Sequence, residues 1–175
     1  MDGIFLRPLC QADLDLYCRW QADPTVFGPY DAPAGCSLQD LRMRYSKTGL
    51  LSDKAGCLLV IARPAQPVGF VQYCRHCSDA WVMWGSVFIA IPDMRGRGLG
   101  TAAHRSLCAY VFTRFPAIHK LECWTDRENL AEQRALAKAG FVHEGTLRAR
   151  NRLRGAFRDM AVYGFIRTQW REPAP

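Results

Sequence analysis

The segment Arg95-Gly96-Arg97-Gly98-Leu99-Gly100-Thr101 constrains this chain more than any other. It follows an almost wholly apolar run, Trp81–Ile91, closed by Pro92. It precedes a stretch in which Leu99, Ala103, Leu107, Tyr110 and Val111 recur at helical spacing. The pattern predicts a strand, a tight turn and a helix. Three glycines in five positions let successive backbone N–H groups point into one concavity, and the start of the helix adds unpaired donors and its positive dipole end. A plain strand-to-helix turn rarely carries three glycines and two arginines, so the loop reads as an anion site suited to a pyrophosphate. It is not a Walker loop, because Leu99-Gly100-Thr101 lacks the lysine. A dinucleotide fingerprint requires G-x-G-x-x-G and an acidic residue ~20 positions on, whereas here the spacing is Gly96-x-Gly98-x-Gly100 and His119-Lys120 stands in that region.

The rest of the chain reads as one α/β domain, residues 1–175, around a mixed sheet of six to seven strands. Ile4–Leu9 opens as a strand. Asp13 is placed to cap a helix with Leu14, Tyr17, Cys18 and Gln21 on one face, stopped by Asp23-Pro24. Ser37-Leu38-Gln39-Asp40 has capping-box spacing before Leu41 and Tyr45. Strands are predicted at Cys57–Ala62, Val68–Tyr73 and Trp81–Ile91, the last interrupted near Gly85 by a turn or bulge. After the glycine loop and its helix come a strand at Lys120–Thr125, a helix at about Leu130–Ala139 ended by Gly140, and strands near Gly145–Arg150 and Met160–Arg167.

Composition bounds the function. With 175 residues, 49% hydrophobic and 22% charged, the chain is neither disordered nor of low complexity. No apolar run approaches the ~18 residues of a membrane span, and the opening Met1-Asp2-Gly3-Ile4-Phe5-Leu6-Arg7 lacks the form of a signal peptide. The expectation is a cytoplasmic protein, monomer or homodimer, with no membrane partner. The net charge of +7 is uneven, since residues 1–94 carry 8 basic and 9 acidic side chains and residues 95–175 carry 15 and 7. Of the eight cysteines most lie among apolar residues, as small hydrophobes do. Cys74-Arg75-His76-Cys77 has metal-knuckle spacing, but no second knuckle follows, so the expectation is a polar turn and no metal.

Arg95–Gly100 also matches the R/Q-x-x-G-x-G/A coenzyme A loop of the GNAT superfamily of N-acyltransferases. The chain further resembles the ribosomal-protein N-terminal acetyltransferase branch, through Leu6-Arg7-Pro8-Leu9, Trp20…Asp23-Pro24, Asn129…Lys138-Ala139-Gly140-Phe141…Glu144-Gly145 and Arg158-Asp159-Met160…Tyr163. The resemblance implies the GNAT fold, a mostly antiparallel sheet with flanking helices and a splayed central strand pair. It implies acetyl-CoA as acyl donor, with Phe88, Ile89, Ala90 and Ile91 pairing with the pantetheine arm and the Ile89 N–H acting on the thioester carbonyl. It further implies that Arg95, Gly96, Arg97, Gly98, Leu99, Gly100 and Thr101 hold the pyrophosphate. Asn129 would contact the cofactor arm and Arg134 its nucleotide end. Trp20, Phe27, Tyr30 and Trp84 become candidate walls of the acceptor pocket, and Trp124 packs in the core or lines that pocket.

The proton chemistry departs from the family pattern. Many members carry a tyrosine where this chain has Leu136, and the branch often carries a serine where it has Glu132. Glu132 is the candidate base, although Asn129-Leu130-Ala131-Glu132 also has the spacing of a capping box. His76, His104, His119, His143 and Tyr30 are ionisable without a spacing argument. Arg148, Arg150, Arg152 and Arg154 alternate, so on a strand all four would share one face, with Arg158 following. That face is either solvated or docks an acidic partner: a carboxylate-bearing substrate, an acyl carrier protein or tRNA at Arg148–Arg158. The leading expectation is an N-acetyltransferase acting on a primary amine of a small molecule or protein N-terminus. The alternatives are a biosynthetic acyltransferase taking its acyl group from a carrier-protein phosphopantetheine or an aminoacyl-tRNA, and a non-catalytic basic binding module.

Overall fold

The computed structural model describes residues 3–76 and 79–171. Twelve main elements follow one another: β1 (Ile4–Pro8), α1 (Leu14–Ala22), α2 (Pro24–Phe27), α3 (Leu38–Thr48), β2 (Ala55–Ala62), β3 (Gln66–Arg75), β4 (Val82–Ile89), α4 (Leu99–Arg114), β5 (Lys120–Asp126), α5 (Leu130–Ala139), β6 (Val142–Leu153) and β7 (Ala156–Ile166). The strands form one sheet in the order β1-β2-β3-β4-β5-β7-β6. Every neighbouring pair is antiparallel except β4 and β5, which run parallel and are joined by the α4 crossover such a pair requires. No described helix is long and apolar enough to cross a membrane.

Side-chain alternation divides the core. Along β2, Leu58 and Val60 face a cluster built with α4 and α5, while Cys57, Leu59 and Ile61 face one built with α1 and α3. The predicted helix at Leu130–Ala139 has those bounds, ended by Gly140 at φ 104°. The final strands run longer than expected, because their hairpin extends the pairing to Leu153↔Ala156. Cys77 lies outside the described residues; of its motif, Cys74 ends within β3 and His76 stands edge-on to Trp84 at 4.7 Å.

Two local expectations are corrected. No turn or bulge interrupts β4 at Gly85, whose pairing with Tyr73 is in register. A Cβ there would lie 2.8 Å from Leu107 Cδ2 and 3.2 Å from Leu121 Cδ1, side-chain ends that glycine leaves in place. Asp13 precedes α1 but makes no side-chain cap. Its carboxylate turns back to accept from Arg7 at 2.8 and 3.0 Å and from the Cys10 N–H at 2.7 Å.

That arrangement carries a pH prediction. The Arg7 hydrogen bonds hold the Asp13 carboxyl down at about 2, against the opposing effect of its burial. A carboxyl depressed in the folded state stabilises above its unfolded pKa of about 3.9, and the gain disappears as pH falls through the folded value. Asp13→Asn is expected to lower the thermal midpoint by roughly 3–6 °C at pH 6. The gap between the two proteins should close on titration from about pH 4 to 2, as followed by circular dichroism. A constant gap across that range would refute the assignment.

Candidate active site

The site begins where two strands part. β4 pairs with β5 only over Val82–Trp84, whereas its pairing with β3 continues to Ile89. A wedge therefore opens from Gly85 onward. In the β3–β4 ladder the Ala90 N–H donates to the Val68 carbonyl. Alternation along an antiparallel pair turns Phe88 and Ser86 the same way, toward β3. The backbone groups of Val87 and Ile89 face the opposite side, into the wedge.

At the end of the wedge lies the glycine loop. Gly96 and Gly98 have φ of 73° and 82°, values that an L side chain rarely adopts, with nothing within 4 Å of where a Cβ would stand. Gly98 is the N-cap of the 16-residue α4 and offers no side-chain acceptor, so the first N–H groups of that helix are left to a ligand. Wedge and loop form one cavity of about 570 Å³, bordered by Ile89, Gly96, Gly98, Thr101, Asn129 and Arg134 among others.

A second chamber of about 520 Å³ opens on the sheet face under α1 and α3. The two cavities share Gly85, Ser86 and Trp124, the residues at the fork. Trp84 and Trp124 stand beside each other there with ring centroids 5.0 Å apart. Glu122 lies below them, accepting from Lys120 Nζ at 2.8 Å and from Trp124 Nε1 at 3.2 Å. Burial alone would raise the Glu122 carboxyl, but Lys120 overrides it and the net shift is downward.

An anion cradle and a strand-like slot, meeting a separate chamber, suit a two-substrate transfer. The acetyltransferase (GNAT) domain family matches residues 4–142 of this chain. The chain belongs to that family. Among solved structures, its fold is similar to the Vibrio cholerae spermidine N-acetyltransferase in complex with CoA and spermine, at 19% identity, 97% of this chain, 98% of that one and a TM-score of 0.82. Aminoglycoside acetyltransferase AAC(6')-Ib in complex with coenzyme A and kanamycin aligns over 94% of this chain and 95% of its own, at 20% identity and a TM-score of 0.75. A GNAT-family acetyltransferase from Bacillus anthracis aligns over 95% and 96%, at 16% identity and a TM-score of 0.77. No curated protein sequence matches the chain.

Within this acetyltransferase several expected residues sit elsewhere. Arg95 borders the cavity, but not with a free guanidinium. Its guanidinium ties the end of β4 to α2, donating to Ile89 O at 2.8 Å and to Thr25 O at 2.8 Å. Arg97 and Leu99 do not border the cavity, and Leu99 packs against the core. Ala90 is buried with its N–H spent on Val68, and the Ile91 N–H goes to the same carbonyl. The Phe88 ring stacks on Phe70 and lies tilted against Phe27, and Phe88 borders the cavity. Trp20 stacks on Phe70 in the core and lines neither cavity. Phe27 and Tyr30 border the donor cavity, while Trp84 borders the second chamber.

Asn129 caps α5 by accepting from the Glu132 N–H at 3.2 Å, but the reciprocal half of a capping box is missing. Glu132 instead turns its carboxylate to His104, with Oε1 2.7 Å from Nε2, and borders the donor cavity. His104 is fully buried, and its Nδ1 faces Cys123 Sγ at 3.9 Å. Val87, Ser86 and Thr125 also border the cavity and carry no motif. Strand alternation past the fork is the one signal that could have found them.

The arginine row is broken. A register shift between Leu147 and Asn151 leaves Ala149 at φ 51°, and Arg154 lies in the turn at φ 50°. The four side chains therefore do not form one unbroken row. Arg150 lies over the Trp124 ring at 5.2 Å, and Arg154 donates to Gly28 O at 3.3 Å. Arg158 is engaged by Asp126 and Glu128, at 2.8 and 2.6 Å.

Proposed function

We propose that this acetyltransferase moves the acetyl group of acetyl-CoA directly to a primary amine, of a small molecule or of a protein N-terminus. The observation that carries the reading is the wedge between β4 and β5, with the Val87 and Ile89 groups turned into it and the glycine cradle at its end. The residues fit the donor. The N–H groups that open α4, with the open space over Gly96 and Gly98, suit a pyrophosphate. The Val87 backbone groups and the Ile89 N–H can pair with an extended amide arm, the Ile89 carbonyl being taken by Arg95.

Acetyl-CoA, when bound, supplies the activated acyl group. The Ile89 N–H is fixed by the β3–β4 ladder and can meet negative charge developing on the acyl oxygen without reorganising. The fork at Gly85, Ser86 and Trp124 lets an amine in the second chamber approach from the opposite side. Glu132 borders the donor side and can take up or return a proton. Resemblance to the ribosomal-protein branch keeps peptide α-amines among the acceptors. A carrier-protein or tRNA donor draws little support, because Arg150, Arg154 and Arg158 are already engaged within the protein.

The test is direct. CoA is expected to raise the thermal midpoint, Gly98→Val to abolish that rise, and labelled acetyl groups to pass to amines in a panel of small molecules and N-terminal peptides. CoA binding with no transfer to any amine would defeat the reading.

A further inference from the structure

The second chamber is chemically asymmetric, and its charges bear on the acceptor. Its one lining carboxylate, Glu122, is already held by Lys120 and the Trp124 indole. The buried Trp84 indole also acts on Glu122 and helps to lower its carboxyl. At the far end stands Arg44, the only basic side chain among the described lining residues. It makes no ion pair among the described residues. Its charge reaches inward. Burial raises the Tyr17 hydroxyl and the Cys57 thiol, and at both Arg44 acts against that rise.

Sheet geometry gives the span. Cys57 aligns with Gln72, and Gln72 with Ser86 at the fork. Two strand spacings, roughly 10 Å, therefore separate Cys57 from Ser86 at the fork, and Arg44 lines the same chamber from α3. The walls between are thiol, amide and aromatic groups without charge. A polycation would bring a second ammonium group against Arg44 and find Glu122 already neutralised. The spermine and kanamycin in the structures of similar fold are such molecules.

Resting on the acetyl-transfer reading above, we propose that the acceptor is an amine bearing a carboxylate roughly 10 Å from its nitrogen, with Arg44 holding the carboxylate and the amine at the fork. Arg44 sets specificity and takes no part in bond making.

The test uses the full chain, acetyl-CoA and a matched acceptor set: terminal aminoheptanoate, heptylamine and diaminoheptane, with spermine alongside. The amino acid should exceed the other three in kcat/KM by about tenfold or more. Arg44→Glu, an exposed helix position tolerant of change, should invert the order so that diaminoheptane leads. Preference of the wild type for a diamine or spermine, absence of aminoheptanoate turnover, or an order unmoved by Arg44→Glu would each overturn the proposal. CoA binding is followed in parallel by thermal shift. Its absence would sink the acetyl-transfer reading itself, whereas CoA binding with a preference for polycations sinks only the Arg44 assignment.

Discussion

Glu132→Gln is expected to lower kcat by about 100-fold at neutral pH while leaving CoA affinity within about twofold. Direct transfer produces an ammonium that must lose a proton and a thiolate that must gain one. Glu132 is a carboxylate on the donor side, 2.7 Å from His104 Nε2. A carboxylate only accepts, so with Glu132 ionised the shared proton sits on Nε2. His104 is fully buried on α4 and packs edge-on against Phe141 at 5.7 Å, which fixes its ring. It is therefore a positioning residue, holding the carboxylate in one orientation over the cavity. Glutamine keeps the shape and can still accept from His104, but it cannot carry a proton. Steady-state kinetics with CoA affinity measured separately checks the prediction. An unchanged kcat would remove Glu132 from the chemistry, and a matching loss of CoA affinity would make it a binding residue.

The loop, the helix after it and α5 were legible because each signal is local. Glycine spacing, a 3.6-residue period and Asn129 with Gly140 as helix ends need no knowledge of distant chain. The fork was not legible, since it depends on β5 leaving β4 after Trp84, a matter of register between segments some forty residues apart in sequence. The same limit explains Arg95 and Glu132. Arg95 lies within a loop that reads as an anion cradle, yet its guanidinium finds three backbone carbonyls brought close by tertiary folding. Glu132 sits at capping-box spacing, but a histidine 28 positions earlier competes for its carboxylate and wins. Alternation also failed on the arginine hairpin, because it holds only while the strand keeps its register, and the bulge at Ala149 breaks it. Of the basic residues from position 95 on, Arg95, Arg150, Arg154, Arg158 and Arg167 are thus engaged within the protein.

Gly69→Ala should be the most damaging single-methyl change in the sheet. Gly69 pairs with Ile89, the residue whose N–H faces the wedge, and next to it the β2–β3 register shifts between Val60 and Ile61. A Cβ on Gly69 would stand 2.0 Å from Phe88 O and 3.0 Å from Ile89 Cα. Both are backbone atoms, so no rotamer change relieves the contact. The end of β4 must move away from β3, into the space the donor arm would fill. Overpacking of this kind costs about 1–3 kcal/mol, which at this size lowers the thermal midpoint by roughly 2–12 °C. Displacing Ile89 should also weaken CoA binding by about tenfold. Gly85→Ala is the control, since its added Cβ meets the Leu107 and Leu121 side-chain ends, which can shift. Thermal midpoints with and without CoA separate the two effects. Equal losses in the two variants, or a normal CoA response in Gly69→Ala, would show that β4 is not held in place by its contact with β3 at Gly69.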